Sequence, residues 1–215
     1  MAGATAFVIL GGSIAPFLAP PVVRVEQDRT DVAALTGFSS RALDETAAAV
    51  LGDLVLWRGD FDVHVSNGPI GEGVLNDAER SHMRDVRSVF TGFWALVLAG
   101  VAVLALGFRR AKSAEARAAA WRSVSGGARA LAIFIAVAGA FAVFAFDAAF
   151  EVFHRLFFSA GSYTFDPATD RLVQLFPEQF WSEISVAVGI VVLIASAGSW
   201  WLARRRAPRI WVAAG

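Results

Sequence analysis

Two of the three histidines in this 215-residue chain sit beside long apolar runs, where an ionisable ring is costly unless it has work to do. His154 lies in "FEVFHRLFFS", among phenylalanines, and His82 lies in "LNDAERSHMRDVRSVF", just ahead of another apolar run. A neutral imidazole accepts a proton and returns it near neutral pH, so two of them converging would make an acid–base site. Carboxylates stand at helical spacing from both. Glu79, His82 and Asp85 are three apart and share one helix face, and an Asp one turn from a His can fix its tautomer and favour its charged form. Glu151, His154 and Arg155 follow Asp147 by four, seven and eight residues and also project from nearly one face. Glu79, Asp85 and Glu151 are therefore the candidate orienting groups. The plainer alternatives are a solvated charge cluster around His82, and an interfacial Glu151–Arg155 pair with His154 snorkelling beside it.

Whether the two rings meet depends on the elements that carry them. Hydrophobic residues make up 56% of the chain, with 18 Phe and 7 Trp and zero net charge, which places it in a membrane. Four segments approach the roughly 20 apolar residues that cross a hydrocarbon layer about 30 Å thick. They run over about 4–23, 89–108, 128–150 and 184–203. The first contains Pro16, Pro20 and Pro21 and has no preceding Lys or Arg, so a cleaved signal peptide competes with it; the missing basic flank and the poor cleavage site favour a membrane helix.

The cations orient these spans. The 109–127 link and its continuation carry Arg109, Arg110, Lys112, Arg117, Arg122 and Arg129 against Glu115 alone, and the 204–215 tail carries Arg204, Arg205, Arg206 and Arg209 with no acid. Both read as cytoplasmic, which leaves the acid-rich 24–88 region and the 151–183 loop outside. The expected fold is an all-α membrane protein of one integral domain, residues 1–215. Four transmembrane helices have both termini in the cytoplasm, and His82 and His154 lie at similar depth on the extracytoplasmic side.

Within the outer region, "SSRALDETAAAVLGDLVL" offers a serine cap and a stripe at Leu43, Ala47, Val50, Leu51 and Leu54, an amphipathic helix of about four turns. "WRGDFDVHVSNGPIGEGVL" alternates Phe61, Val63 and Val65 with Asp60, Asp62 and His64 ahead of an "NGP" turn, which predicts a short strand or hairpin with His64 on its solvated face. Asn76 and Glu79 have capping-box spacing, so a helix is expected to begin there and run into the second span. Beyond the third span, Gly161 and Asp166–Pro167 signal turns, and Pro177 a helix start in a loop that re-enters the membrane.

Several chemistries are excluded. There is no cysteine, no serine-hydrolase elbow, no HExxH and no phosphate loop, and no basic surface of the kind that binds nucleic acid. No histidine has ligand spacing to another, so neither metal nor cofactor is expected. A non-catalytic scaffold or sensor, its outer region binding a partner, stays open at this point.

The blocks "LNDAERSHMRDVRSVF" and "FEVFHRLFFSAGSYTFDPATDRLVQLFPEQFW" resemble a family of small four-span bacterial membrane proteins, the lipoprotein intramolecular transacylases. The resemblance covers the chain from about Leu75 onward, and earlier residues match in layout only. It implies an acyltransferase acting on a diacylated lipoprotein held in membrane lipid. The sn-2 acyl chain of the diacylglyceryl-cysteine would move to that cysteine's own amine, with His82 and His154 as the catalytic pair. Substrate would supply both nucleophile and ester.

Overall fold

A computed structural model describes residues 1–65 and 73–207 and is helical throughout, with no strand among the described residues. The helices are α1 (Ala2–Ile14), α2 (Pro20–Arg29), α3 (Val32–Thr36), α4 (Ser40–Leu56), α5 (Asp77–Arg110), α6 (Ala114–Phe144), α7 (Phe146–Phe157), α8 (Arg171–Leu175) and α9 (Glu178–Arg206), with a 3-10 turn at Ala15–Leu18. Of these, α5, α6 and α9, with 34, 31 and 29 residues, are each long and apolar enough to cross a membrane. The first apolar segment is not one straight rod. Ala2–Leu18 and Pro20–Arg29 meet at 69°, because the prolines at 16, 20 and 21 withhold amide hydrogens and crowd the preceding turn. The third span, read as continuous to 150, is divided at Ala145, whose φ of −148° lies outside helical geometry.

The chain forms two compact units. The first comprises Met1–Ile14, Phe93–Ala140 and the residues from Ala187 onward. Small residues set its packing, as expected where helices meet without a hydrophobic driving force. A side chain at Gly100 would stand 3.0 Å from the Ala4 carbonyl oxygen, one at Gly11 would press on Val97, and one at Gly127 would overlap the Ala2 carbonyl. At neighbouring Gly126 nothing lies within 4 Å. Gly127→Ala should therefore cost about 1–3 kcal/mol through overpacking against backbone that cannot yield, whereas Gly126→Ala should be neutral or stabilising by up to about 1 kcal/mol. Thermal unfolding of the two variants in detergent checks the contrast.

The second unit, Ala15–Gly92 with Phe141–Val186, holds both histidines. Its core joins Leu43, Val50 and Leu54 of α4 to Phe61, Val63, Met83 of α5, and Leu172 and Leu175 of α8. The apolar stripe of α4 is buried as its 3.6-residue period requires, and Ser39 Oγ accepts the Ala42 N–H at 3.2 Å. The expected strand does not form over the described residues 61–65. Phe61 and Val63 do turn inward, but Phe61 has a φ of 59° and one backbone bond, Val74 N–H to Val63 C=O at 2.7 Å, stands in place of a ladder. The Asp53 carboxylate accepts the Phe61 N–H at 2.8 Å, and the Arg87 guanidinium covers the Trp57 and Phe61 rings at 4.5 and 5.0 Å. Side-chain anchors thus replace sheet pairing, and His64 is exposed beside Asp62. The "NGP" turn lies outside the described residues.

Candidate functional site

His82 is placed by how α5 begins. Asn76 N–H donates to Glu79 Oε2 at 2.7 Å while Glu79 N–H donates to Asn76 Oδ1 at 3.0 Å, the reciprocal capping box its spacing predicts. The other carboxylate oxygen of Glu79 accepts the Leu172 N–H at the start of α8, and the residue is fully buried. Asn76 Nδ2 also donates to Asp170 at 3.1 Å, and Asp170 accepts the Asp166 N–H at 2.7 Å. One capped turn therefore sets the entry of α5 and pins the 158–170 segment, which carries aromatic rings to the histidines. Burial raises the Glu79 pKa, and its two backbone bonds oppose that shift. Glu79→Gln keeps one acceptor and turns an NH₂ toward a backbone N–H, so a loss of about 2–3 kcal/mol is expected, seen as a lowered Tm.

His154 comes from the last turn of α7. Its Nδ1 lies 2.8 Å from the Phe150 carbonyl oxygen, one turn earlier. A carbonyl only accepts, so the proton sits on Nδ1 and the Nε2 lone pair is left for chemistry. The two imidazoles stack with centroids 6.0 Å apart and planes 23° from parallel. Both are buried, at 7% exposure. Around them stand Phe150 at 3.9 Å and Tyr163 at 5.0 Å from the His154 ring, Phe165 at 5.6 Å from the His82 ring, and Phe158 against both at 4.9 and 5.4 Å.

This lining governs charge. His82 lies outside the apolar 89–108 stretch of α5, yet burial, and secondly the neighbouring His154, push its pKa down to about 4 against the weaker pull of Asp85. Two imidazolium ions 6.0 Å apart would repel by about 3 kcal/mol at an effective dielectric near 20. That repulsion disfavours positive charge on both rings at once. His82 Nδ1 is buried without a hydrogen-bond partner among the described residues.

The three carboxylates expected to orient the rings are placed otherwise. Glu79 is committed to Asn76 and Leu172, as above. Asp85 is exposed and reaches His82 only through its field. Glu151 accepts the Arg155 guanidinium at 2.6 Å and the Tyr163 hydroxyl at 3.3 Å, so it acts on the Tyr163 ring that covers His154 rather than on His154 itself. The groups that do hold the imidazoles are the Phe150 carbonyl and the aromatic side chains of the 158–165 segment. Their only signal in the sequence is the density of rings in "FFSAGSYTF". No group of His, Asp and Glu among the described residues could hold a metal ion.

Among the described residues, three helices long and apolar enough to cross a membrane accompany a buried, aromatic-walled imidazole pair. The family profile described as "Lipoprotein intramolecular transacylase Lit" matches residues 1–181. The chain belongs to that family, and is thereby an enzyme of the acyltransferase class. Its fold is similar to the solved structure of the membrane integral lipoprotein intramolecular transacylase Lit from Bacillus cereus, with a TM-score of 0.78 at 19% identity, covering 95% of this chain and 91% of that one. A histidine-to-arginine variant of the Bacillus cereus protein matches with a TM-score of 0.69 at 18% identity, over 95% and 88% of the two chains. A search of the curated proteins finds no match.

Proposed function

We propose that this chain moves the sn-2 acyl group of a diacylglyceryl-modified N-terminal cysteine to that cysteine's own α-amine. The observation that carries this reading is the buried imidazole pair, with the lone pair of His154 Nε2 free and the second ring held neutral. The amine attacks the ester carbonyl, a C–N bond forms, and the sn-2 C–O bond breaks. His154 Nε2 takes the proton lost by the attacking nitrogen, the Phe150 carbonyl steadies the resulting imidazolium, and the proton then passes to the departing glycerol oxygen. Neutral His82 supplies an N–H to the developing oxyanion without placing a second cation beside the first. Substrate provides nucleophile, ester and leaving group, consistent with a chain devoid of cysteine. Holding amine and ester together supplies a further share of the rate.

The basic 109–129 segment and tail support a four-span topology in which α1 and α2 jointly make the first crossing, the 151–183 loop re-enters the membrane, and the histidines face the extracytoplasmic leaflet. A mature lipoprotein presents its lipidated amine on that side. Substrate and product are isomers, so an intact mass cannot separate them. The test is co-expression with a diacylated lipoprotein in a host lacking other N-acylation, followed by tandem fragmentation of its N-terminal peptide. An acyl group on nitrogen, with a monoacylglyceryl thioether, is the expected result. An unchanged diacyl form beside folded, membrane-inserted enzyme refutes the proposal.

A further inference from the structure

The ion pairs of this protein are unevenly distributed. Every salt bridge among the described residues lies in the second unit, between residues such as Arg29 and Glu183 or Arg87 and Asp60. The first unit holds a different arrangement. Among the described residues, neither the cations of the 109–129 segment nor Arg204, Arg205 and Arg206 pair with a carboxylate there. Glu115 is the one acid of that segment, and Ser113 and its own backbone N–H hold it at the start of α6.

Unpaired does not mean unheld. The Arg205 guanidinium lies 3.8 Å from the Trp201 ring and the Arg204 guanidinium 4.9 Å from Trp200, each over the indole one turn earlier. The Arg206 guanidinium stands 6.0 Å from Trp121, which joins the end of α9 to the early turns of α6. Stacking on an indole fixes the plane of a guanidinium and leaves the N–H fork at its edge free. All three arginines are exposed and follow the apolar 184–203 stretch, the position at which cations flank a membrane span. Exposed Ile190, Ile194 and Leu202 on α9 provide apolar surface for hydrocarbon.

We infer that this aromatic–arginine end of α6 and α9 is a binding site for the phosphodiester headgroup of an anionic glycerophospholipid, with acyl chains running along α9. A planar fork matches two phosphate oxygens, and three pre-placed forks exceed what a solvated cationic rim requires. Net anionic headgroups are favoured over zwitterionic ones because, among the described residues at this end of α6 and α9, no free carboxylate stands ready for an ammonium group. Free phosphate shares the fork chemistry but lacks the hydrocarbon that α9 can hold.

Native mass spectrometry of the full chain, released from detergent with matched phosphatidylglycerol or phosphatidylcholine, tests the inference. Phosphatidylglycerol should be retained at least about tenfold more strongly, at roughly fivefold for each cation that reaches a headgroup. The triple variant Arg204→Gln, Arg205→Gln, Arg206→Gln should lose that preference while keeping its helical circular dichroism and elution volume. Should the triple variant not fold, salt titration of the wild type decides, since the preference must fall steeply as ionic strength rises. Equal retention of the two lipids, an unchanged preference in a folded triple variant, insensitivity to salt, or equal competition by inorganic phosphate at the same concentration would each overturn the inference. Because the readout is lipid retention, its failure leaves the acyl-transfer reading intact.

Discussion

Replacing His154 with alanine should lower conversion of a diacylated lipoprotein by about 10²–10⁴-fold, the usual worth of a positioned general acid–base group, with the protein still folded in the membrane. The core of the second unit is built from Leu43, Phe61, Leu172 and their neighbours, and the imidazole contributes packing rather than an anchor. His82→Ala should fall in the same range, but the conservative variants should separate the two roles. Glutamine at 82 retains an N–H donor and should recover part of the rate, whereas glutamine at 154 has no basic nitrogen and should recover none. His64→Ala, on exposed backbone beside Asp62, should be near wild type. Single-turnover conversion in proteoliposomes measures all five variants. Equal rescue by glutamine at both positions would refute the division of roles.

The second large effect is the response to pH. Above about pH 9 the substrate amine is free and the rate should be level; below about pH 7.5 the logarithm of the rate should fall with at least unit slope as the amine, of ordinary pKa 7.7–8.0, takes a proton. Near pH 4 His82 protonates as well. A cation then stands beside His154, and the slope should steepen further. His82→Gln should remove that lower inflection and leave the upper one. Stability moves in the same direction. A folded-state pKa below the unfolded value near 6.5 means that the unfolded chain binds the proton first, so stability is full above pH 6.5 and is lost between 6.5 and about 4, by up to about 3 kcal/mol. Circular dichroism at each pH separates the kinetic inflection from unfolding, and an inflection that persists in His82→Gln would contradict its assignment to this ring.

What the sequence made legible was local and periodic. The stripe of α4 and the Asn76–Glu79 box both depend on spacings within one or two turns, and both stand where that spacing puts them. Features that need a distant partner were harder to read. Alternation at Phe61 and Val63 marks which side chains are buried, but a strand also needs a neighbour, and Asp53 and Arg87 anchor that segment instead. The break at Ala145 has neither proline nor glycine, so hydropathy runs through it unmarked. At the site, the histidines could be singled out by residue type and by the apolar stretches beside them. Their actual supports, a backbone carbonyl and rings from an aperiodic segment, leave almost no trace in residue spacing. The carboxylates were conspicuous at helical intervals, yet Glu79 and Glu151 position neighbouring elements rather than the imidazoles.

The central claim is that acyl chain and amine belong to one substrate molecule, with the protein supplying only proton transfer and confinement. It is tested most directly with a lipoprotein carrying both a deuterated sn-2 acyl chain and a 13C-labelled N-terminal peptide, reconstituted with this enzyme in an excess of unlabelled lipoprotein and unlabelled phospholipid. Tandem fragmentation then gives the isotopic composition of the N-acyl group. Intramolecular transfer predicts that every 13C-labelled peptide bears a deuterated amide and every unlabelled peptide an unlabelled amide. Scrambling of label between lipoproteins, or an amide drawn from the phospholipid pool, would contradict it.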